Sequence, residues 1–351
     1  MSKTILVTGG AGFIAHHVID KILIETDWRI VSLDRLDYSG NLNRLHEVVM
    51  SHPEETRKRV RVVHHDLKAE INPQIASMIG KVDYIAHLAA GSHVDRSIDF
   101  PMEFVMDNVV GTTNILNYAR NVDSLEKFVY FSTDEVFGPA PEGTNYKEYD
   151  RYNSTNPYSA SKAGGEEMAV AFENTYGLPV IITHTMNVFG ERQHPEKYIP
   201  MCIKYVRDQK RITVHSDHTR TKAGSRHYIH AMDVADAMLF LLNAEVLPQH
   251  RDLPKMNVDK SCNINPRCPK FNIVGGEEID NLRLAQIIAD VQGKPLNYEM
   301  IDFHTSRPGH DLRYALCGEK MARMGWRPRP VVDRLTQVIE WTLQNDRWLN
   351  L

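Results

Sequence analysis

Six short apolar runs, separated by stretches with helical spacing, occupy the first half of the 351-residue chain. The runs predict strands at residues 4–7, 30–33, 60–64, 84–88, 128–131 and 180–183, with helices near 13–23, 41–50, 72–79, 101–120 and 157–176. Short apolar strands that alternate with helices form a parallel sheet covered on both faces. The sequence therefore predicts an α/β fold, a doubly wound parallel sheet of the Rossmann type.

The alternation loosens after about residue 187. Helices are predicted near residues 196–208, 231–243, 280–292 and 332–345, short strands near 212–214, 271–273 and 297–301, and a polar, proline-rich surface loop at 247–270. We expect residues 1–187 to form the Rossmann domain, rejoined by about 226–270. Residues 188–225 and 271–351 are expected to form a smaller, mixed α/β C-terminal domain.

The composition excludes several classes of function. Hydrophobic residues make up 42% of the chain and charged residues 25%, as in ordinary globular proteins. The net charge of -4 gives no reason to expect nucleic acid or an anionic membrane as a partner. No apolar run is long enough to span a membrane, and the N-terminus lacks the form of a signal peptide, so we expect a cytoplasmic protein.

The metal-binding residue types are not spaced as in a metal site. The four cysteines match no zinc or redox motif: Cys202, Cys262, Cys268 and Cys317. Cys262 and Cys268 share a loop, which leaves a disulfide or a metal open, but free thiols are expected. Four histidines also lack the spacing of a zinc site: His215, His218, His227 and His230. No metal is predicted.

A glycine-rich turn at residues 8–15 lies between the first strand and the first helix. In this context Gly9 permits a tight turn, Gly12 lets the backbone approach a pyrophosphate, and Ala15 is small enough for the helix to pack on the sheet. The pyrophosphate would lie at the helix N-terminus, where free N–H groups and the dipole favour negative charge. The sequence therefore predicts a dinucleotide cofactor.

Asp34 ends the second strand, where a carboxylate accepts hydrogen bonds from the ribose hydroxyls and repels a 2′-phosphate. NAD is therefore predicted. Arg35 keeps NADP open as an alternative, because an arginine there accommodates that phosphate. Asp66 ends the third strand where it would meet the adenine, although a solvated aspartate fits that position equally well. The other predicted cofactor contacts are Phe13, Ile14, Leu67, Leu88, Ala89, Ala90 and Asn108.

Tyr158 and Lys162 are spaced i, i+4, which places them on one face of a helix. A free tyrosine has a pKa of about 10 and is a poor base near neutrality. A nearby ammonium and the positive nicotinamide would favour the phenolate, and Tyr158 would then accept a proton from a sugar hydroxyl while hydride leaves to NAD. Such pairs are common on helix surfaces, but here the pair follows a dinucleotide-binding turn and Asn156-Pro157.

These features resemble the extended short-chain dehydrogenase/reductase family over nearly the whole chain. Residues 131–138, Phe-Ser-Thr-Asp-Glu-Val-Phe-Gly, resemble the Ser-Thr-Asp-Glu-Val-Tyr-Gly segment of dTDP-glucose 4,6-dehydratases. Further matches lie at residues 87–90, 92–98, 195–200 and 307–311. The resemblance implies an NAD-dependent nucleotide-sugar 4,6-dehydratase that acts on dTDP-glucose or UDP-glucose.

The resemblance also assigns roles after the fifth strand. Oxidation of the sugar at C4 makes the C5 proton acidic, after which a base must remove that proton and an acid must protonate the departing C6 hydroxyl. Two adjacent carboxyl groups in different surroundings can divide these tasks. By resemblance Glu135 is the base, Asp134 is the acid, and Thr133 binds the C4 oxygen beside Tyr158. The alternative is that the acidic residues only cap a helix.

The smaller domain is expected to bind the nucleoside diphosphate. By resemblance Asn187 and Arg226 lie near the diphosphate, and Arg307 and Asp311 contact phosphate and nucleoside; arginine suits phosphate through its bidentate donors. The remaining predicted substrate residues are Ser92, His93, Glu196, Lys197 and Tyr198.

The chain departs from the family pattern at several positions. Gly91 replaces a glutamate and Val188 an asparagine, both near the substrate pocket by resemblance, which leaves the nucleotide open between dTDP and UDP. The other departures are Ala15 for glycine, Phe137 for tyrosine and His184 for arginine.

Three other functions share parts of this pattern. A nucleotide-sugar 4-epimerase would share NAD, Tyr158 and Lys162, but it needs no acid–base pair after Thr133. A decarboxylase of nucleotide-sugar uronic acids is weakened by the same pair. An inactive Rossmann scaffold that senses nucleotide or binds a partner would have no need of the catalytic residues.

A homodimer is also expected. The predicted helices at 101–120 and 157–176 carry apolar residues beyond one face, and such helices form a four-helix interface in relatives. These residues are Phe104, Val105, Val109, Leu116, Met168 and Phe172.

Overall fold

Seven parallel strands form the central sheet of the computed structural model, which describes residues 2–37, 39–246, 268–303 and 312–350. The strands of this sheet are β1 (Thr4–Thr8), β2 (Arg29–Asp34), β3 (Val60–His64), β4 (Tyr84–His87), β5 (Lys127–Thr133), β6 (Val180–Thr185) and β11 (Lys270–Ile273). Other strands pair outside it: β7 (Val188–Phe189), β8 (Ile212–Ser216), β9 (Ser225–Arg226), β10 (Ile229–His230), β12 (Ile279–Asp280) and β13 (Tyr298–Asp302). The order across the sheet is β11-β6-β5-β4-β1-β2-β3, the Rossmann order extended by β11.

Both faces of this sheet are covered, as the apolar runs predict. Ile5 and Val7 of β1 belong to one hydrophobic cluster, and Leu6 between them belongs to another, because successive side chains of a strand point to opposite faces. Helices α1 (Phe13–Glu25) and, later in the chain, Ala231–Asn243 contribute to the first cluster. Gly111–Ala119 and Pro157–Tyr176 contribute to the second. The predicted fold class is confirmed.

The remaining helices before residue 177 follow in chain order. They are α2 (Leu42–Met50), α3 (Glu54–Arg57), α4 (Pro73–Ile79), α5 (Val94–Asp99), α6 (Pro101–Val105), α7 (Gly111–Ala119) and α8 (Pro157–Tyr176). The bounds of α2, α4 and α8 agree with the predicted helices within one residue, because each begins at a capping asparagine: Asn41, Asn72 and Asn156.

The predicted helical stretch at 101–120 is helical from residue 101 to residue 119, but it is not a single regular α-helix. A π-helical turn, Met106–Val110, separates α6 from α7. The Thr112 and Thr113 hydroxyls donate to the carbonyls of Asn108 and Val109, which lie in this turn. Apolar spacing does not reveal an extra residue in one turn, although such turns are frequent at functional sites.

A third hydrophobic cluster lies beside the sheet. It joins helices α9 (Tyr198–Arg207) and α11 (Asn281–Val291) to Val331–Gln344, and the parallel strands β8 and β13 pair next to it. Helix α10 (Ala231–Asn243) instead packs against α1, and β11 belongs to the central sheet. Strand β11 therefore crosses the predicted boundary between residues 270 and 271, while the division into two domains stays a prediction.

Several expectations concern membranes, thiols and the polar loop. In the described ranges no helix combines the length and apolar character that a membrane crossing requires, and the expected cytoplasmic location stays a prediction. Cys202, Cys268 and Cys317 are free thiols. Cys262 and most of the predicted loop, residues 247–267, lie outside the described residues. No three metal-ligating side chains converge within the described part of the chain.

Candidate active site

One cleft opens at the carboxyl ends of the central strands. Its volume of about 390 Å³ lies within the range of small-molecule sites. The predicted residues that line it are Gly9, Gly12, Phe13, Ile14, Asp34, Asp66, Leu67, Leu88, Ala89, Ala90, Ser92, His93, Thr133, Asp134, Glu135, Tyr158, Lys162, Asn187, Glu196, Lys197 and Tyr198. Asn108 and Arg226 are not among the lining residues, and Arg307 and Asp311 lie outside the described residues.

The glycine turn has the close packing that a dinucleotide site requires. A Cβ atom on Gly9 would lie 2.9 Å from the backbone of Ala89, and one on Gly12 would lie 2.8 Å from the Gly9 carbonyl oxygen. Gly12 is the N-cap of α1 and has no side chain with which to cap the helix. The N-terminus of α1 therefore presents backbone donors to the cleft, which suits a pyrophosphate.

Asp34 is fixed at the end of β2. Its carboxylate accepts hydrogen bonds from the Ala11 N–H at 3.0 Å and the Leu36 N–H at 2.8 Å, and burial raises its pKa. The carboxylate thereby joins the glycine turn to the loop after β2. Its place in the lining of the cleft fits the predicted acceptor of ribose hydroxyls.

Strand β5 ends at Thr133, and a short 3₁₀ turn, Asp134–Phe137, follows. Thr133 caps this turn by accepting a hydrogen bond from the Glu135 N–H at 3.4 Å. Its hydroxyl also donates to Asp134 Oδ1 at 3.0 Å. Since Thr133 performs the capping, the alternative in which Asp134 is only an N-cap does not describe this turn.

Asp134 is a buried carboxyl group with an unusual proton affinity. It is 5% exposed, and Oδ2 has no hydrogen-bond partner among the described residues. Burial, reinforced by the neighbouring Glu135 carboxylate, raises the pKa of Asp134 to about 7, while Arg226 and the Thr133 hydroxyl oppose the shift. A large fraction of Asp134 is therefore protonated near neutral pH, as a general acid must be.

Glu135 is half-buried beside it and is tied to helix α8. The Asn156 side chain donates to Glu135 Oε2 at 3.1 Å. The same side chain accepts from the Ser159 N–H at 2.8 Å and forms a reciprocal capping box with Ser159. The residue that starts the helix carrying Tyr158 and Lys162 therefore also positions Glu135.

Tyr158 and Lys162 both line the cleft, but Lys162 is not among the groups that shift the pKa of Tyr158. Lys162 Nζ donates to the Phe131 carbonyl at 2.6 Å and lies 4.5 Å above the Tyr130 ring, and burial lowers the pKa of Lys162 to about 7. Burial and the Glu135 carboxylate raise the pKa of Tyr158 despite a hydrogen bond with Thr133. In the protein alone the pKa of Tyr158 is therefore raised, and the expected stabilisation of the phenolate by Lys162 together with a bound nicotinamide stays a prediction.

A buried charged cluster lies behind the catalytic residues, and sequence reasoning missed it. Glu166, one turn after Lys162, accepts from Ser132 at 2.8 Å and from Lys270 at 2.8 Å, and lies 3.2 Å from His184 Nε2. Burial alone would raise the pKa of Glu166, but His184 and Lys270 outweigh it and hold the pKa low. The i, i+4 spacing from Lys162 was the available signal.

Asn108 lies behind the cleft rather than in its wall. Its side chain accepts from the Gly91 N–H at 2.8 Å and donates to the Gly91 carbonyl at 3.0 Å and to Ser161 Oγ at 2.9 Å. Asn108 therefore supports the loop after β4 and the helix α8. Gly91 is also absent from the lining residues.

Most of the predicted substrate residues in the described ranges line the cleft, whereas Arg226 does not. His93 and Glu196 approach each other across the cleft, with His93 Nε2 3.5 Å from Glu196 Oε2. The Tyr198 hydroxyl donates to the Asn281 carbonyl at 2.9 Å. Arg226 lies outside the lining, where its Nη1 donates to the Leu312 carbonyl at 2.6 Å and its guanidinium lies 4.6 Å from the Tyr314 ring.

Known proteins resemble this chain over nearly its whole length. The family model described as GDP-mannose 4,6 dehydratase matches residues 6–339. The chain is 32% identical to dTDP-glucose 4,6-dehydratase 1 of Escherichia coli, over 99% of this chain and 94% of that protein. It is also 32% identical to a trifunctional UDP-glucose 4,6-dehydratase of Arabidopsis thaliana, over 99% of this chain and 48% of that larger protein.

A solved structure extends the similarity to the whole fold. The dTDP-glucose 4,6-dehydratase DesIV of Streptomyces venezuelae, crystallised with NAD bound, superposes with a TM-score of 0.81 at 32% identity, covering 98% of each chain. The predicted resemblance to nucleotide-sugar dehydratases is confirmed: the chain belongs to the GDP-mannose 4,6 dehydratase family.

Proposed function

We propose that the chain is an NAD-dependent nucleotide-sugar 4,6-dehydratase that converts dTDP-glucose to its 4-keto-6-deoxy derivative and water. The observation that carries this proposal is the pair of adjacent carboxyl groups. Asp134, with a pKa of about 7, and Glu135 share one cleft with Tyr158 and Lys162. Full-length relatives named as dTDP-glucose 4,6-dehydratases support the same activity.

NAD would be held by the glycine turn and Asp34, which line the cleft, and would supply the hydride chemistry at C4 and C6 when bound. Tyr158 accepts the proton of the C4 hydroxyl while Thr133, its hydrogen-bond partner, holds the oxygen. Because burial and Glu135 raise the pKa of Tyr158, its phenolate form would need positive charge in the cleft, which the nicotinamide of NAD would supply when bound. Lys162, whose Nζ lies 4.5 Å from the centre of the Tyr130 ring, lines the same cleft.

Elimination then uses the two carboxyl groups in opposite protonation states. Glu135, positioned by Asn156, removes the C5 proton, which the C4 ketone has made acidic. Asp134 donates its proton to the C6 hydroxyl, which leaves as water. The two neighbours act differently because their surroundings differ. Asp134 is buried and its Oδ2 has no hydrogen-bond partner among the described residues, whereas Glu135 is half-buried and accepts a hydrogen bond from Asn156.

The competing functions explain less of this geometry. A 4-epimerase would use Tyr158 and NAD but would leave a buried, protonatable Asp134 without a task. The same holds for a decarboxylase and for an inactive scaffold, since a buried carboxyl without a full set of hydrogen bonds is costly to retain.

The nucleotide is proposed to be dTDP, with UDP as the alternative. Both nucleotides occur in the names of relatives at 32% identity. The residues proposed to contact the nucleoside diphosphate are Ser92, His93, Asn187, Glu196, Lys197 and Tyr198, which line the cleft. Arg226, Arg307 and Asp311 stay predictions.

Two variants test the division of labour. Glu135→Gln should still oxidise the sugar, so that bound NADH accumulates, but should release no dehydrated product. Tyr158→Phe should give neither NADH nor product, because the first proton transfer fails. Absorbance of NADH and mass spectrometry of the sugar nucleotide distinguish the two steps. Normal product formation by Glu135→Gln would place the base elsewhere.

We also propose that the chain forms a homodimer through α5, α6 and the π-helical turn. Five large apolar side chains are exposed there: Ile98, Phe100, Met102, Val105 and Met106. Exposed apolar patches of this kind mark interaction surfaces. Three residues of the predicted interface, Phe104, Leu116 and Phe172, are instead buried within the chain, so the proposed interface is shifted towards the N-terminal end of the segment.

A further inference from the structure

A cluster of charged side chains borders the cleft next to Asp34, outside the proposed catalytic residues. Its members come from the loops after β2 and β3 and from the π-helical turn: Arg35, Asp37, Asp66, Lys68 and Asp107. In Rossmann folds this is the end of the cleft that receives the adenosine ribose, where NAD and NADP differ by one phosphate. The cluster therefore lies where cofactor choice is decided.

The Arg35 guanidinium donates hydrogen bonds to two carboxylates of this cluster. Its Nη1 and Nη2 donate to the two oxygens of Asp107 at 2.5 and 2.7 Å, and its Nε donates to Asp37 at 2.7 Å. Hydrogen bonding to Asp107 is the main reason why the pKa of Arg35 is raised. A two-pronged pair of this kind has the same planar geometry that an arginine offers to a phosphate.

Asp107 is held firmly in this position. It lies in the π-helical turn next to Asn108, whose side chain hydrogen-bonds to the backbone of Gly91. Only 10% of the Asp107 side chain is exposed. A Cβ atom on Gly91 would lie 3.3 Å from Asp107 Oδ2 and 3.1 Å from the Phe104 ring. The glycine, one of the departures from the family pattern, thus leaves the space that Asp107 occupies.

The charge balance at this end of the cleft also disfavours a further anion. Three cations, Arg35, Arg44 and Lys68, line this end of the cleft together with four carboxylates: Asp34, Asp37, Asp66 and Asp107. The added 2′-phosphate of NADP would meet a net negative charge and an arginine whose Nε, Nη1 and Nη2 already donate to carboxylates. In the sequence, Arg35 leaves NADP open as an alternative cofactor. Its pairing with Asp107 disfavours that alternative.

We propose that Asp107 is a specificity residue for the cofactor: by pairing with Arg35 it withholds the guanidinium from a 2′-phosphate, so the chain selects NAD at Asp107 as well as at Asp34. This inference rests on the proposed binding of NAD in the cleft. It predicts that NADP binding improves when Asp107 is removed, although Asp34 is intact.

The test measures nucleotide affinity rather than turnover. Wild-type protein and variants, freed of bound nucleotide, are titrated with NAD and with NADP by calorimetry, and the ratio of the two Kd values is compared. Asp107→Ala should lower the Kd for NADP relative to NAD by about tenfold or more, the range expected for a charged hydrogen bond gained by a phosphate. Thermal unfolding of each variant confirms that it is folded.

Two controls separate the pairing from a general loss of charge. Glu70→Ala removes an exposed carboxylate from the loop after β3, but Glu70 does not line the cleft, so its Kd ratio should change much less. Adding Arg35→Gln to Asp107→Ala should abolish the gain. An equal gain in Glu70→Ala, a gain that survives Arg35→Gln, or no gain in Asp107→Ala would each overturn the proposal.

The proposed function fails in a different way. Wild-type protein that binds neither nucleotide would contradict the cofactor site itself. Wild-type protein that binds NAD, with variants whose Kd ratio is unchanged, would contradict only the role of Asp107.

Discussion

Asp134 shows how one residue acquires its chemistry from burial. An aspartate in water has a pKa near 4, but desolvation and the Glu135 charge raise the pKa of Asp134 to about 7. The protonated fraction, which is the form that donates to the C6 hydroxyl, is high below pH 7 and falls as the pH rises through that value. We therefore expect the elimination step to slow above about pH 7, measured as product formation in single turnovers.

The matched variant is Asp134→Asn, which keeps the shape but carries no acidic proton. Its elimination should slow by roughly 10²–10⁴-fold, the usual contribution of a general acid, and should lose the pH dependence above neutrality. Sugar oxidation should continue, so NADH should accumulate. An elimination rate that rises through pH 7, or is unchanged in Asp134→Asn, would assign the acid to another group.

Some residues of the site were accessible to sequence reasoning and others were not. Gly9, Gly12 and the Tyr158–Lys162 pair are set by local spacing, and the structure places all four in the cleft. The partner of Arg35 is 72 residues away along the chain, so no local pattern indicates it. The burial that raises the pKa of Tyr158 in the protein alone could not be judged from spacing.

At the scale of elements, Asn156, the N-cap of helix α8, contributes both to the stability of the helix and to the proposed catalytic site. The Asn156 side chain accepts from the Ser159 N–H and donates to Glu135. Asn156→Ala should lower the free energy of unfolding by about 1 kcal/mol, as for other lost caps, and should also slow elimination because Glu135 loses its donor. Denaturant unfolding and product formation measure the two effects.

Ser159→Ala is the control for that variant. It removes the reciprocal capping contact with Asn156 while leaving the Asn156–Glu135 hydrogen bond in place. It should therefore reduce stability with little effect on elimination. Equal catalytic loss in both variants would show that the cap itself, and not the contact with Glu135, supports the reaction.

Elements with strong periodicity and clear caps were predictable, whereas interrupted ones were not. Helix α8 has Asn156 and Pro157 at its start and Gly177 in a left-handed conformation at its end, and its predicted bounds are those observed. The π-helical turn within residues 101–120 and the short helix α5 lack such signals. Strand β11 was predicted, but its place beside β6 depends on tertiary pairing.

For the whole molecule, the exposed apolar patch predicts a dimer. Light scattering at micromolar concentration should give twice the chain mass of 40.2 kDa. Met102, 67% exposed, and Val105 lie within the patch, and Met102→Glu with Val105→Glu should give a monomer, because buried charges without partners are costly. Met78→Glu, an exposed methionine on α4, should leave the dimer intact. A monomeric wild type would contradict the proposed interface.

The central claim is that the cleft removes water from a nucleotide sugar. The direct measurement is mass spectrometry of the products after purified protein and NAD are incubated separately with dTDP-glucose, UDP-glucose, CDP-glucose and GDP-mannose. We predict that dTDP-glucose loses one water. A product of unchanged mass but altered sugar configuration would instead indicate an epimerase and would remove Asp134 and Glu135 from the catalytic residues.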